Sequence, residues 1–387
     1  MDGVTNTISS EKSANHLPEN LKYWLALNRL KGFGPKTILS LLERFEDPEY
    51  VFNASNADLK HAGLTSTAID QLRNSNRQVD EDSAWMEAHP RHHIITLYDS
   101  HYPSLLKELS TPPIVLYVNG DPDLLSMPQL AIVGSRSATT GGLEIASEFS
   151  HSLAKAGVVI TSGLALGIDA AAHRGALDAN GKTVAVLGTG PDRIYPARHL
   201  ELAEQIVDTG TIVTEFIPGT IPRKDHFPRR NRVISGLALG TLVVEAAKQS
   251  GSLITARFAM EQGKEVFAIP GSIRNPQAKG CHALIREGAK LVESVEEIIE
   301  DLGPLFATLF SEQKHEENKI QNEFDSGKKM TGEQKLIMDK LGYDPVSVNE
   351  LVERSGLTAS EVSSILLALE LEGYVSSQAG GKYAKHN

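Results

Sequence analysis

Residues 222–232 read Pro-Arg-Lys-Asp-His-Phe-Pro-Arg-Arg-Asn-Arg, with five Arg or Lys in eleven positions against one Asp. The segment is therefore locally +4 in a chain whose formal charge is −11. Cations with an aromatic ring among them suit a single nucleic-acid strand, because they offer charge to its phosphates and a face to its bases. Lys224, Phe227, Arg229, Arg230, Asn231 and Arg232 are thus the first candidate binding residues. A second group is a set of small-residue strings: Gly134-Ser135-Arg136-Ser137, Ser162-Gly163, Gly188-Thr189-Gly190, Gln249-Ser250-Gly251-Ser252 and Pro270-Gly271-Ser272. Small side chains let a phosphate reach backbone N–H groups, and a helix N-terminus favours its charge. Gly134, Ser135, Arg136, Ser162, Gly163, Lys248, Ser250, Gly251 and Ser252 join the candidates, with Arg136 as a fixed cation. Arg193 and Arg198 extend the basic track.

Catalytic patterns are weaker. Asp169 and His173 lie four apart on a helical pattern and share a face. That spacing fits a capping Asp and an orienting His better than a proton-transfer pair. Glu245, at a strand end, is a candidate general acid. No Gly-x-Gly-x-x-Gly follows the first strand and no Gly-x-x-x-x-Gly-Lys-[Ser/Thr] occurs, so neither dinucleotide nor P-loop chemistry is expected. His92-His93 and Cys281-His282 lack partners at ligand spacing, so no metal and no cofactor are expected.

The elements that must position these residues follow from the apolar pattern. Leu130–Val133, Val158–Thr161, Thr183–Leu187, Thr211–Glu215, Gly240–Glu245, Glu265–Ile269 and Lys290–Val292 read as strands. Helical patterns lie between them: Leu143–Ala156, Ile168–Asp178, His199–Val207, Leu253–Gln262 and His282–Glu287. Repeated strand–helix alternation predicts an α/β fold with a Rossmann-like, doubly wound parallel sheet. In such a sheet ligands bind outside the carboxyl ends of the strands, where the small-residue strings fall.

Before the sheet, Leu21–Leu30 and Thr37–Phe45 flank a Gly32-Phe33-Gly34 turn, and Leu59–Leu72 reads as a degenerate second copy. This is either a helix-hairpin-helix (SAM-like) unit or a plain helical bundle. After the sheet, helices over Gly332–Leu341, Val348–Ser355 and Ala359–Glu372 precede a hairpin turning at Gly380-Gly381, in the order of a winged helix. The expected domains are a mobile tail over 1–18, helices over 19–90, the sheet domain over 91–310, a polar linker over 311–329 and a winged-helix-like domain over 330–387.

Composition is that of an ordinary globular chain: 387 residues, 41 % apolar and 22 % charged. A single cysteine excludes a disulfide framework. No apolar run approaches about 18 residues and the first twenty are polar, so a soluble cytoplasmic protein is expected, with no membrane contact. The acidic net charge argues against a general nucleic-acid binder. Only a local cluster can rescue that reading.

Several longer strings resemble the DprA/Smf family of DNA-processing proteins. They are Ser162–His173 (SGLALGIDAAAH), Arg230–Leu237 (RNRVISGL), Gln249–Ala256 (QSGSLITA) and Gly280–Ile285 (GCHALI), in family order. The resemblance implies sequence-independent binding and protection of incoming single-stranded DNA, loading of the recombinase RecA, action as a homodimer through the sheet domain, and no catalysis. It further implies that Arg136 contacts phosphates, and that Lys224 and Phe227 lie in the segment set against the strand. One departure concerns the last helix, whose Glu361, Glu370 and Glu372 stand without a Lys or Arg. A duplex-reading helix is basic or amide-rich. The resemblance therefore leaves this domain more suited to protein contact.

Two other readings stay open. Gly240–Glu245 resembles the Gly-Thr…Glu motif of nucleoside-monophosphate phosphoribohydrolases, although Ser235–Leu239 is not the Pro-Gly-Gly expected before it. A nucleotide-sensing transcriptional regulator is the other.

Overall fold

The computed structural model describes residues 18–30, 32–74, 79–306, 332–341, 346–371, 374–378 and 382–385. The expected tail (Pro18 apart), the linker 311–329 and the Gly380-Gly381 turn lie outside the described residues. The chain divides into two compact units, Met1–Phe310 and Ser311–Asn387.

In the first unit one sheet gathers β1 (His92–Thr96), β2 (Val115–Gly120), β3 (Gln129–Val133), β4 (Val159–Ser162), β5 (Thr183–Val186), β6 (Thr211–Thr214), β7 (Gly240–Val243), β8 (Glu265–Ala268) and β9 (Lys290–Leu291). Their spatial order is β1-β2-β6-β5-β4-β3-β7-β8-β9. From β6 across to β9 every pairing is parallel. Strands β3 to β7 are buried along their whole length between helices on both faces, which is why they read as unbroken apolar runs, whereas edge strand β9 is exposed. The chain winds outward from β3 to β6, then crosses back to place β7 on the free side of β3. The strand order therefore reverses between β3 and β7, and that gap is where an open α/β sheet holds its ligand.

Two further strands extend the expected parallel sheet at one edge. It is not purely parallel, because β2 pairs antiparallel with β6 and β1 antiparallel with β2. Tyr117 of β2 is buried, and its hydroxyl donates to Asp82 at 2.5 Å, while Arg29 Nε donates to the same carboxylate at 2.6 Å. Burial pushes the Asp82 carboxyl upward against the pull of both partners.

The helices of the N-terminal segment run Glu19–Asn28, Pro35–Phe45, Pro48–Asn53, Asn56–His61, Ser66–Asn74 and Asp80–Glu87. Trp24, Leu41, Leu59 and Leu72 from them share one contiguous apolar cluster with Leu116 and Tyr117 of the sheet. Gly32 takes φ 84° and Gly63 φ 88°, so each short helical pair turns through a left-handed glycine.

The second unit has helices Gly332–Lys340, Val348–Ser355 and Ala359–Leu371 around Ile337, Leu351, Val362 and Leu366. Its strands β10 (Val346–Ser347), β11 (Val375–Gln378) and β12 (Lys382–Lys385) pair in the order β10-β12-β11. This is a winged helix, with one short strand more than the pattern predicted. Glu361 accepts from the Thr358 amide at 2.8 Å, and Thr358 Oγ1 accepts from the Glu361 amide at 3.4 Å. One of the acids noted on the last helix is thus its N-terminal capping partner. Glu372 lies outside the described residues.

Candidate nucleic-acid interface

Outside the ends of β3 and β7 lies a cleft of about 700 Å³. Its wall on the β3 side is Gly134, Ser135 and Arg136; across it stand Ser250, Gly251 and Ser252, at the start of the ten-residue helix Ser252–Glu261. Lys224, Phe227, Arg230 and Asn231 close the third side. Ten of the fifteen residues expected from sequence therefore converge on one cleft, although 118 positions separate the first from the last. Asn231 Nδ2 donates to the Gly251 carbonyl at 3.2 Å and ties two of the walls together.

Most of the basic segment is helical rather than loop. His226–Leu237 is a helix, so its cations point in different directions. Arg229 donates to Glu215 at 2.8 Å and its guanidinium sits 5.0 Å over the Phe216 ring. Arg232, buried, donates to Glu215 at 2.5 Å and to the Thr111 carbonyl. Glu215 thus offsets much of the local positive charge, and neither arginine lines the cleft. Arg230 does line it, at only 4 % exposure. Its Nη1 donates to the Val186 carbonyl at 2.8 Å, and burial draws the guanidinium pKa down to about 10. Arg136 and Lys224 remain as exposed cations on the cleft wall.

The other expected residues outside the cleft lining have visible duties. The buried Ser162 hydroxyl donates to the Ile132 carbonyl at 2.6 Å, in the sheet. Gly163 makes room for Arg230, since a Cβ there would lie on the guanidinium. Lys248 is exposed on the loop after β7.

Arg136 is placed by an aromatic. Its guanidinium carbon lies 5.2 Å from the Phe227 ring centroid, a cation–π distance. Gly188 after β5 meets the same ring, where an added Cβ would come within 3.0 Å of it. Tyr195 stands 5.7 Å from Phe227, centroid to centroid, and also lines the cleft. Tyr195 escaped the sequence reading. Its signal was an aromatic two residues after Arg193 and three before Arg198, in a loop following a strand.

The acid–base candidates all make hydrogen bonds within the fold, and Asp169 also lines the cleft. Asp169 accepts from the amides of Gly163 at 3.2 Å and Ala165 at 3.4 Å, which pins the turn between β4 and helix Ile168–Asp178. Within that turn the buried Leu164 adopts φ 57°, a strained conformation for a branched side chain, and His199 Nδ1 donates to its carbonyl at 2.9 Å. His173 is fully buried, and its Nδ1 lies 2.7 Å from Thr183 Oγ1. That hydroxyl already donates to the Ile160 carbonyl, so Nδ1 carries the proton. Glu245 accepts from the Thr139 amide at 2.8 Å and its hydroxyl at 2.7 Å, at the N-terminus of helix Thr140–Lys155.

An open α/β sheet with a cleft at its switch point, lined by two rings and by exposed cations, defines a Rossmann-like α/β protein. Residues 93–303 match the family of DNA recombination-mediator protein A, and residues 326–381 match the DprA winged helix domain. The chain is 41 % identical to Protein Smf of Escherichia coli over 84 % of its length and 85 % of that protein. It is 46 % identical to the DNA processing protein DprA of Streptococcus pneumoniae over 53 % of its own length and 72 % of the other. The crystal structure of the latter superposes with a TM-score of 0.59 at 37 % identity, covering 72 % of this chain and 97 % of that one. A DprA structure from Helicobacter pylori, described for its single-stranded DNA binding mode, gives a TM-score of 0.50 at 29 % identity, covering 55 % of this chain and 95 % of that one. The chain belongs to the DprA/Smf family of DNA-processing proteins.

Proposed function

We propose that this protein binds single-stranded DNA without sequence preference in the switch-point cleft, shields it, and hands it to the recombinase RecA, acting as a homodimer and without turnover. One observation carries the reading: Arg136, held over Phe227, faces the N-terminus of helix Ser252–Glu261 across a cleft also lined by Lys224 and Tyr195. The phosphates run along Arg136, Lys224 and that helix end, and the bases turn to the rings. The contacts proposed are to phosphates and to ring faces, which every nucleotide offers, so length and strandedness decide affinity. The family, and the relative described for single-stranded DNA binding, support the same assignment.

The experiment is a competition. Labelled oligo-dT is bound to the protein and challenged with unlabelled single strands of mixed sequence or with matched duplex. Displacement by single strands of any sequence and not by duplex is expected, followed by faster RecA filament formation on coated strands. Equal displacement by duplex would refute the reading.

A further inference from the structure

We infer that a second pocket of the first unit, apart from the cleft, binds a small organic cation: an ammonium or guanidinium group on an aliphatic stem. The pocket has a volume of about 370 Å³ and shares no lining residue with the cleft. That volume lies in the range of small-molecule sites. One wall is formed by the short helix Ser104–Lys107 and the residues after it. Another is the C-terminal end of helix Ser252–Glu261, and Arg232 and Lys264 complete the lining.

The class of ligand follows from which charged groups are already satisfied. Arg232 donates to Glu215 and to the Thr111 carbonyl. Lys264 Nζ donates to the Ser235 and Gly236 carbonyls at 2.9 and 2.7 Å, at the C-terminal end of helix His226–Leu237, where the dipole favours a cation. Both cations are therefore engaged by the fold. The acceptors are not. Glu108 and Glu261 are exposed and hold no hydrogen bond or ion pair among the described residues, Glu108 acting on Lys264 only through space. Gln262 Nε2 donates to the Arg232 carbonyl at 3.5 Å, but the buried Gln262 Oε1 has no partner among the described residues. Two carboxylates and a buried amide oxygen thus lack a donor, and a buried acceptor is costly to leave unmade. Leu105, Leu109 and Phe258 supply apolar surface for a stem, and a ring such as Phe258 attracts a cation over its face. A carboxylate or phosphate ligand would instead meet two unpaired carboxylates.

Calorimetric titration of the full chain with agmatine, a guanidinium and an amine joined by a short aliphatic stem, tests the assignment. One agmatine per chain is expected. Glu108→Gln/Glu261→Gln should weaken its binding roughly tenfold or more. Glu201→Gln/Glu204→Gln removes the same charge from exposed positions of helix Leu200–Thr209 and should leave affinity unchanged. Guanidinobutyrate, in which a carboxylate takes the place of the amine, should bind the unaltered protein more weakly than agmatine, a comparison that needs no variant. No binding of agmatine, an effect of Glu108→Gln/Glu261→Gln no larger than that of Glu201→Gln/Glu204→Gln, or tighter binding of guanidinobutyrate would each overturn the assignment. None of these outcomes bears on single-strand binding in the cleft.

Discussion

Gly163 shows how the site depends on single atoms. It supplies one amide to Asp169 and an empty space to Arg230, so a methyl group there would collide with a guanidinium that has little freedom to retreat. Gly163→Ala should cost roughly 1–3 kcal/mol of stability through overpacking and weaken single-strand binding as Arg230 is pushed from the cleft wall. A thermal melt and an anisotropy titration of the same variant check both; a neutral result in both would mean Arg230 has another place to go. At this scale the sequence was informative about residue type and misleading about exposure. Arg136, Lys224 and Phe227, singled out by charge and aromaticity, line one cleft. Arg229 and Arg232 do not, because composition counts a charge without its partner, and Glu215 lies outside the basic string.

Among the elements, the parallel strands were legible because burial on both faces leaves uninterrupted apolar runs. β1 and β2 were not, although Ile114–Val118 is apolar, because the segment between them holds only the four-residue helix Ser104–Lys107. Helix His226–Leu237 was hidden by Pro228, which suggests a loop but sits in the first turn, where a missing N–H costs little. Packing of helix Ile168–Asp178 onto the sheet also creates a pH dependence. His173 is held neutral there, and burial draws its pKa from 6.5 to about 3. The unfolded chain takes up the proton near pH 6.5 and the folded chain does not. Stability present above that pH is therefore lost as pH falls toward 3, at up to about 1.4 kcal/mol per unit. Urea midpoints at pH 7.5 and 5.5 should converge less for the parent than for His173→Asn, which keeps a donor for Thr183 and does not titrate. Equal losses in the two proteins would show that His173 is not the proton-linked group.

For the molecule as a whole, the two compact units carry different burdens. Each has its own apolar core, and every residue lining the cleft belongs to the first. The winged-helix segment from Met330 holds eight acids against five Lys and Arg, so its net charge is negative. A chain ending at residue 306 should bind oligo-dT with unchanged affinity and salt slope. A tenfold loss would place DNA contacts in the second unit. The net charge of −11 gave no hint of the site, because an average over 387 residues hides a few cations gathered by the reversal of strand order.

On the proposed function, Arg136 and Lys224 in the switch-point cleft hold the phosphates of a single strand. Salt-dependent anisotropy of labelled poly-dT, compared between the unaltered protein and Arg136→Ala/Lys224→Ala, tests it most directly. Two lost phosphate contacts should reduce the magnitude of the log K against log[salt] slope by about 1.4 and weaken binding most at low salt. Parallel slopes and equal affinities for the two proteins, with both folded, would place the strand elsewhere.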